Sequence, residues 1–456
     1  MSSSQVKYMD SSGMEPYPEY KDSGIEWIGE IPQHWDVTKL KHSLSKLESG
    51  NRENDSNRLD NGIFSIGGEH ISWDGKLKLY PPRYISKQYY DKLNGGKVLD
   101  KDILLVKDGA TIGKTTFVHN QSSQKFAVNE HVYILRTNKN TLPKYLFYFI
   151  MSKIGQEQIQ LQKRGAAQPG LNSGFSDIVM LSVPPFQEQQ AIATFLDRET
   201  SRIDALVEKK QQFIELLEER RSALISHAVT RGLDPDVPMK DSGIEWIGEI
   251  PEHWDVRKTS RSFKIIGSGT TPYSDTLEYY DNGDIPWILT GDLNDTILKN
   301  TSKKITNSAL VNHSSLKLYN KNTLIIAMYG ATIGKVSLID FQGCTNQACC
   351  ALNKSDYFIQ RFVYYWFLTN RNNIIRLSYG GGQPNISQEI IKSLKIQSPP
   401  LQEQQAIANY LDRETSQIDN LIEKTKQSIE YLKEYRTALI SSAVTGKIDV
   451  RGTVSD

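Results

Sequence analysis

Two glycine-rich stretches of the chain contain the residue types of a phosphate-binding loop. The first, Gly109 to Thr115, reads GATIGKT, and GATIGK returns from Gly330 to Lys335. Only three residues separate the two glycines in each copy, whereas a loop that wraps a phosphate needs four. In the second copy, Val336 also stands where a magnesium-binding hydroxyl would be. We therefore interpret both copies as strand-turn-strand frames in which the glycines serve the turn.

Two proline pairs, in the sequences VPPF from Val183 and SPPL from Ser398, also suggest chemistry. They are close to the motif with which adenine methyltransferases hold the target amino group. The first copy lacks the leading Asn, Asp or Ser acceptor, the second lacks the stacking aromatic, and neither has a glycine-rich methyl-donor loop. No His-Cys, Ser-His-Asp or paired-carboxylate cluster recurs in both halves of the chain. We expect the chain to be non-catalytic and to use no cofactor.

Composition narrows the class of protein further. The three cysteines, Cys344, Cys349 and Cys350, have no His or Cys partner at zinc-ligand spacing, so we expect them to be reduced, buried and free of metal. The 456 residues are 38% hydrophobic and 23% charged, as in ordinary globular proteins. No apolar stretch is long enough to span a membrane, and the N-terminus does not resemble a signal peptide. We expect a cytoplasmic protein without membrane contact.

The net charge of +1 conceals a segregation along the chain. Residues 21–183 carry about +5 and residues 240–398 about +3, while the remaining segments are neutral or acidic. A basic patch on each of these two parts could neutralise nucleic-acid phosphates. Excesses this small are only a weak indication of nucleic-acid binding.

These parts must be held by a segment that the chain contains twice. Residues 184–230 return as residues 399–445, with roughly 33 of about 47 aligned positions identical. Each copy should form one helix that begins after its proline pair and ends near Gly232 or Gly446, because proline is excluded from a helix interior and glycine favours the end. Each helix would then contain about 40 residues, or roughly 60 Å of rod.

Apolar residues in both copies recur at alternating spacings of three and four, which is typical of a coiled-coil seam. Neither rod can bury its apolar stripe alone, so we expect the two copies to pack on each other. Glu199, Lys210 and Glu414 also fall at seam positions, where they would set the register. The predicted helix-pairing residues are Ile192, Leu196, Ile203, Leu206, Phe213, Leu217 and Leu224 in the first copy, and Ile407, Leu411, Ile418, Leu421, Leu432 and Leu439 in the second.

The repeat extends beyond the helices and divides the chain into two modules. KDSGIEWIGEIPQHWDV from Lys21 to Val37 returns from Lys240 to Val256 with one difference; we call these the opening segments. Short apolar runs broken by Gly, Asn and Asp predict strands at 103–106, 131–135 and 324–328, and helices are expected at 142–154 and 357–370. The expected fold class is α+β, with two pseudo-symmetric mixed α/β domains joined by two long antiparallel coiled-coil helices.

The expected boundaries follow the repeats. They are an N-terminal tail at 1–20, a first domain at 21–183, a first helix at 184–231, a linker at 232–239, a second domain at 240–398, a second helix at 399–446 and a C-terminal tail at 447–456.

Along almost its whole length the chain resembles the specificity subunit of Type I restriction-modification systems. The resemblance rests on the opening segments around Trp27 and Trp246, the GATIGK islands, the Gly-Gln-Pro loops, and PPxxEQ leading into each helix. It implies that each domain reads one half of an asymmetric, bipartite DNA site and that the antiparallel helices set the spacer. It also implies methyltransferase subunits as partners, expected to number two, and nuclease-translocase (restriction) subunits that join for cleavage.

Side chains on loops that reach a groove edge are suited to reading bases, with Arg or Lys for guanine and Asn or Gln for adenine. Turn formation is the competing role for such loop residues. The candidate DNA-binding residues are Ser65, Gly67, Gly68, Glu69, His70, Lys107, Lys114, Arg164 and Gln168 in the first domain, and Thr290, Gly291, Asp292, Asn294, Tyr329, Lys335, Gln383 and Asn385 in the second.

Two other functional classes remain open at this stage. A coiled-coil interaction scaffold without sequence-specific DNA binding would explain the helices, but not two diverged basic domains inside a constant frame. A nucleic-acid enzyme would explain the basic domains, but it needs a catalytic site that the sequence does not show.

Overall fold

The computed structural model describes residues 15–52, 58–119, 124–165, 169–378 and 385–453. The chain divides into two compact units, Met1–Lys210 with Lys426–Asp456, and Gln211–Thr425. Each unit contains one mixed α/β domain and one part of each of two long helices. The expected fold class is confirmed.

In the described residues of the first unit, twelve short strands and four short helices precede the first long helix. The strands are β1 (Tyr20–Asp22), β2 (Glu30–Pro32), β3 (Asp36–Lys39), β4 (Leu44–Ser49), β5 (Arg58–Leu59), β6 (Ile63–Ile66), β7 (Tyr84–Ile85), β8 (Ile103–Val106), β9 (Thr115–Phe117), β10 (Phe126–Val128), β11 (Val132–Thr137) and β12 (Met180–Val183). The helices are α1 (Leu40–Ser43), α2 (Lys87–Lys92), α3 (Pro143–Met151) and α4 (Lys153–Leu161), and the long helix is α5 (Phe186–Arg231).

Two four-stranded sheets form the centre of the first domain, in the orders β10-β6-β7-β5 and β4-β11-β8-β9. Pairing in the second sheet is antiparallel, whereas β6 and β10 are parallel. Strand β8 is buried on both faces, which explains the uninterrupted apolar run at 103–106. Two-stranded ribbons, β1-β2 and β3-β12, lie at the ends of the long helices: the Tyr20 hydroxyl donates to the Gly446 carbonyl at 2.9 Å, and β12 leads into α5.

The second unit repeats this plan with different lengths. Its strands are β13 (Met239–Asp241), β14 (Glu249–Pro251), β15 (Asp255–Lys258), β16 (Phe263–Gly267), β17 (Ile285–Ile288), β18 (Ile297–Leu298), β19 (Lys303–Ile305), β20 (Leu324–Ala327), β21 (Val336–Ile339), β22 (Cys344–Thr345), β23 (Cys349–Ser355) and β24 (Lys395–Ser398). Its helices are α6 (Thr259–Ser262), α7 (Asn307–Asn312), α8 (Gln360–Arg376), α9 (Gln388–Ser393) and the long α10 (Leu401–Val444).

Its sheets have the orders β16-β23-β20-β21-β18 and β19-β17-β22, with ribbons β13-β14 and β15-β24. The predicted buried location of the cysteines is confirmed: Cys344, Cys349 and Cys350 lie in β22 and β23. Burial raises the pKa of the Cys344 and Cys350 thiols to about 12, so both are neutral at physiological pH.

The helix that follows β11 in the first domain and β23 in the second differs between the two units. In the second it is continuous over 17 residues, but in the first it breaks into α3 and α4 at Ser152. Ser152 has an extended backbone, and its hydroxyl accepts a hydrogen bond from the Gly155 amide at 3.1 Å, which caps the new helix. The prediction of a single continuous helix at 142–154 is therefore wrong at Ser152, where the helix breaks.

The long helices begin and end where the sequence predicts. α5 has 46 residues and α10 has 44, each starting just after its proline pair. Gly232 and Gly446 follow their ends with φ values of +80° and +71°, a left-handed conformation that glycine adopts without steric cost. A Cβ on Gly446 would also lie 2.3 Å from the Pro32 ring of the first opening segment.

The two long helices pack on each other in antiparallel orientation within each unit. In the first unit, Ile192 and Leu196 of α5 share one core with Ile440 and Val444 of α10. In the second unit, the opposite ends meet in the same way. Equivalent ion pairs cross the helix pair, Arg436 to Asp204 at 3.0 Å in the first unit and Arg221 to Asp419 at 2.8 Å in the second.

Part of the predicted seam requires correction. Leu206, Phe213 and Leu421 are 43%, 41% and 42% exposed, and the neighbouring Ile214 and Ile422 are buried instead. Two adjacent apolar residues stand at these points, so spacings of three and four are satisfied by either choice. The remaining predicted pairing residues are buried (Ile192, Leu196, Ile203, Leu217, Ile407, Leu411, Ile418, Leu439) or partly buried (Leu224, Leu432).

The PPxxEQ sequence at the start of each long helix attaches the helix to its domain. The Gln189 amide accepts a hydrogen bond from the Leu142 backbone at 2.8 Å and donates to the Asn140 and Pro184 carbonyls. Glu188 accepts from His34 at 2.8 Å and from the Trp35 indole at 3.1 Å. Gln404 and Glu403 make the equivalent bonds in the second unit. Both residues of the EQ pair are therefore structural.

Candidate nucleic-acid interface

Four separate segments of the first domain meet around one open cleft. The Gly109 amide donates a hydrogen bond to the Pro169 carbonyl at 3.0 Å, and the Leu171 amide donates to the Lys107 carbonyl at 2.8 Å. These bonds join the β8-β9 hairpin to the loop that follows α4. The cleft has a volume of about 490 Å³ and is lined by Gly68, Glu69, Val106, Asp108, Gly109, Ala110, Thr111, His131 and Pro169.

The GATIGK segment is the turn of a β-hairpin in both domains. In the first domain, the Gly113 amide donates to the Val106 carbonyl at 3.0 Å, and Gly334 makes the same bond to Ala327 at 2.8 Å. Gly109 and Gly330 have φ values of +81° and +82°, so glycine is required for the backbone conformation. The expectation of a strand-turn-strand frame is confirmed.

The second domain builds the same frame around its own hairpin. The Met328 amide donates to the Ala348 carbonyl at 2.9 Å, as Lys107 does to His131 at 2.9 Å. The Ile386 amide donates to the Met328 carbonyl at 2.7 Å, as Leu171 does to Lys107. Position 108 therefore corresponds to position 329, and position 131 to position 348.

A 3-10 turn follows one strand in each domain, at Gly68–His70 and Thr290–Asp292. The Gly67 amide donates to His70 Nδ1 at 2.8 Å, and in the same way the Leu289 amide donates to Asp292 Oδ2 at 2.9 Å. His70 Nε2 also lies 2.8 Å from the Pro81 carbonyl and therefore donates to it. His70 and Asp292 thus hold their turns together.

The structure removes two residues from the predicted set and weakens a third. Ser65 and His70 are fully buried, so neither can reach a DNA groove. Asp292 is half-buried, and its second oxygen accepts from the Ser302 amide at 3.0 Å, which leaves it engaged in the fold. The prediction that these residues lie on loops is confirmed. The side chains of His70 and Asp292, however, form hydrogen bonds within their own loops and hold them in shape.

Other first-domain candidates are placed as follows. Gly68 and Glu69 line the cleft, and Glu69 pairs with Arg83 at 3.5 Å. Gly67 precedes the turn, with the Glu69 carboxylate 2.3 Å from where its Cβ would stand. Lys114 is half-buried in the hairpin and Arg164 is exposed, whereas Gln168 lies outside the described residues.

Lys107 is held by its neighbours. Its ammonium lies 5.0 Å from the centre of the Tyr133 ring and 3.9 Å from Asp108, and its side chain is 20% exposed. Tyr133 donates to the Leu171 carbonyl at 3.0 Å. Burial, helped by the Asp108 charge, raises the pKa of Tyr133 and keeps it a neutral donor.

In the second domain the frame carries different side chains. Tyr329 is half-buried, and its backbone pairs with exposed Asn385. Burial is the main cause that raises the pKa of Tyr329, with Cys349 adding to it. Thr290 and Lys335 are half-buried, and Gly291 and Asn294 are exposed. Gln383 lies outside the described residues.

Sequence reasoning missed Asp108, Thr111 and His131, which line the cleft. The only available signal was that the first two stand in or beside the GATIGK island. The cleft offers carboxylates, an imidazole and a hydroxyl, all of which can form hydrogen bonds with base edges.

Among the described residues there is no group of three His, Cys, Asp or Glu that could hold a metal, and no described helix is long and apolar enough to cross a membrane.

Comparisons with known proteins agree with this arrangement. The family model for the Type I restriction modification DNA specificity domain matches residues 32–216 and again residues 251–431. The chain is 26% identical over 432 residues to the MjaX type I restriction enzyme specificity subunit of Methanocaldococcus jannaschii, covering 93% of this chain and 96% of that protein. It is 27% identical over 219 residues to the EcoR124I/EcoR124II specificity subunit of Escherichia coli, covering 46% and 51%.

Two solved structures share the fold. A chain of a type I R-M system, studied for complex assembly and conformational transition, superposes with a TM-score of 0.72 at 16% identity, covering 92% of this chain and 99% of that one. The HsdS subunit from Thermoanaerobacter tengcongensis superposes with a TM-score of 0.56 at 16% identity, covering 92% and 98%.

Proposed function

Because the chain belongs to the family of Type I restriction modification DNA specificity proteins, we propose that it directs partner subunits to a bipartite DNA sequence. Residues 21–183 and 240–398 are the proposed recognition domains, each reading one half-site. The observation that carries this proposal is the repeated frame, in which equivalent backbone hydrogen bonds hold different side chains at positions 108 and 329. Because these side chains differ, the two half-sites should differ in sequence.

A scaffold without sequence-specific DNA binding is not favoured. The long helices alone would serve such a scaffold, but both matches to the family model extend through the recognition domains. The proposed division of labour places base reading in the domains, spacing in the helices, and adenine methylation and DNA cleavage in the partner subunits.

The purified chain alone is expected to transfer no methyl groups to DNA, whereas the chain assembled with its methyltransferase partner should methylate one bipartite site. Incorporation of labelled methyl groups into genomic DNA measures both. The methyltransferase without this chain is the matched control and should show no site preference. Methylation by the isolated chain, or the same methylation pattern with and without it, would contradict the proposal.

Exposed apolar residues on the long helices are proposed as the surface that binds methyltransferase subunits. Leu206 and Tyr431 in the first unit, and Leu421 and Leu216 in the second, are 43%, 69%, 42% and 61% exposed. They occupy equivalent positions of the repeated helix sequence, which diverges far less than the recognition domains. A surface present twice is suited to binding the same partner twice, so we propose two methyltransferase subunits for each chain.

Replacing one patch should therefore remove one subunit. Leu216→Glu and Tyr431→Glu are each expected to yield a one-to-one complex in native mass spectrometry, and the double variant should bind no methyltransferase, since a buried unpaired carboxylate is costly in an apolar contact. Glu218→Gln, an exposed change on the same helix, is the control. A double variant that still binds two subunits would exclude this surface.

A further inference from the structure

The two domains carry different side chains at equivalent positions around the hairpin. The first domain has Glu69, Asp108 and His131, all of which line its cleft. The equivalent residues in the second domain are Gly291, Tyr329 and Ala348. Equivalent backbone hydrogen bonds flank both sites, from Lys107 to His131 and from Met328 to Ala348, so the side chains differ within a shared frame. A constant frame with exchanged side chains is expected where two domains read different bases.

The backbone of Asp108 is held on both sides. The residues on either side of it are hydrogen bonded through Lys107 to His131 and through Gly109 to Pro169, and its own backbone pairs with Gly170. A reading group needs this preorganisation, because a side chain held in place distinguishes bases better than a flexible one.

The Asp108 carboxylate is held on one side only. Its Oδ2 atom lies 3.3 Å from His131 Nδ1 and 3.9 Å from the Lys107 ammonium. Among the described residues, Oδ1 has no hydrogen-bond donor, and the side chain is 36% exposed. One oxygen is thus oriented by His131, and the other lies beside Gly170, where no side chain stands, and can accept a hydrogen bond.

A role in stability alone explains this arrangement poorly. His131 is 52% exposed and Asp108 is 36% exposed, and ion pairs at that exposure contribute little to folding. The second domain keeps the same backbone frame with Tyr329 and Ala348, which form no such pair. The Asp108 and His131 side chains are therefore not required by the frame.

A carboxylate beside DNA is repelled by phosphates, so it is useful only at a base edge. In the major groove, the groups that donate to a carboxylate are the exocyclic amino groups, cytosine N4 and adenine N6. The Lys107 ammonium, 3.9 Å from Asp108 Oδ2, offsets part of this repulsion.

We propose that Asp108, positioned by His131, accepts a hydrogen bond from the exocyclic amino group of one base in the half-site of the first domain. This proposal rests on the proposed function and adds to it a residue and the chemical group that the residue recognises. Guanine and thymine present acceptors at the corresponding edge, and the carboxylate rejects them.

The test uses the full chain assembled with its methyltransferase partner. The recognised sequence is first obtained from the methylome, and duplexes with each base pair replaced in turn are then compared for the wild type and for Asp108→Asn. The amide adds a donor, so replacement of one cytosine or adenine by a base with acceptors should become tolerated. Discrimination at that position should fall about ten- to hundredfold, and cytosine versus adenine is decided by which base the position contains.

Two further variants keep the outcome decisive. Asp100→Asn, an exposed carboxylate of the same domain outside the cleft, should leave every preference unchanged. His131→Gln, which alters the positioning residue, should weaken discrimination at the same base pair as Asp108→Asn. If thermal unfolding shows that Asp108→Asn does not fold, His131→Gln takes its place in the test.

Unchanged preferences in Asp108→Asn would overturn the assignment, as would uniform loss of binding to all sequences or a change in the half-site of the second domain. These results leave the proposed function intact. Absence of a bipartite site in the wild-type methylome would instead remove the proposed function itself.

Discussion

Replacing residues 38–183 with the corresponding part of a relative is expected to change one half of the methylated sequence completely and leave the other half as it was. The reason is that each domain has its own sheets and a buried core cluster of its own, while the longest segments shared by the two modules are the opening segments and the long helices. Methylome sequencing of the hybrid measures both halves at once.

The exchange boundaries fall within the β3-β12 ribbon, which sets a condition on the donor. Thr38 pairs with Leu181 and Lys39 with Met180, and these pairs travel together in the exchanged part. Val37 stays with the host but pairs with Ser182 of the donor. Backbone hydrogen bonds tolerate this change of side chains, so a donor with the same ribbon register should fold.

The matched control exchanges residues 257–398 from the same donor into the second domain, which should alter the other half-site. A hybrid whose two half-sites both change would contradict independent reading. Several donors should be compared, since failure of one hybrid to fold reports on its junction, whereas failure of all would show that the domains depend on the rest of the chain.

The repeated architecture could be predicted from the sequence because near-identical segments must adopt the same local structure. The ends of α5 and α10 were predictable from proline and glycine alone, since both residues act through the backbone. The broken helix at Ser152 was not predictable. Its apolar pattern continues across the break, and the Ser152 cap becomes recognisable only once the chain has turned.

The seam shows where periodicity fails. The pairs Leu206-Val207 and Leu421-Ile422 offer two apolar residues in succession, and both fit a heptad. Their exposure is settled by which face of the helix meets its partner, and this depends on packing between segments far apart in the sequence. Sequence spacing alone does not contain that information.

For the candidate site, the loops were predicted correctly but not the roles of their side chains. His70 and Asp292 have base-reading chemistry, yet both accept backbone amide hydrogen bonds within their own turns. Asp108 precedes the repeated GATIGK letters and differs in the second copy, so the sequence alone offers no reason to select it. A position that varies inside a constant frame is where recognition is expected, and identifying it required the equivalent hydrogen bonds of both domains.

Lengthening both long helices by one heptad is expected to increase the unspecified gap between the half-sites by about three base pairs. The insertions are placed between Lys210 and Phe213 and between Thr425 and Ser428, where the chain passes from one unit to the other. Seven residues preserve the seam and add about 10 Å at roughly 1.5 Å per residue, and DNA rises about 3.4 Å per base pair.

Three base pairs also rotate one half-site by roughly 100° relative to the other, given about 10.5 pairs per turn. Twist in the helix pair and bending of the DNA must absorb this rotation, so methylation should become slower even at the new spacing. Both half-sites should keep their sequences because neither recognition domain is altered.

Insertion into α5 alone is the matched control for this experiment. This insertion shifts the seam residues of α5 relative to those of α10. It should therefore break one of the two ion pairs between the helices, Arg436 to Asp204 or Arg221 to Asp419. We expect this variant to lose methylation and to unfold at lower temperature. The double insertion should restore the stability but at the longer spacing. If the double variant methylates the original spacing with undiminished preference, the helices do not determine the distance between the half-sites.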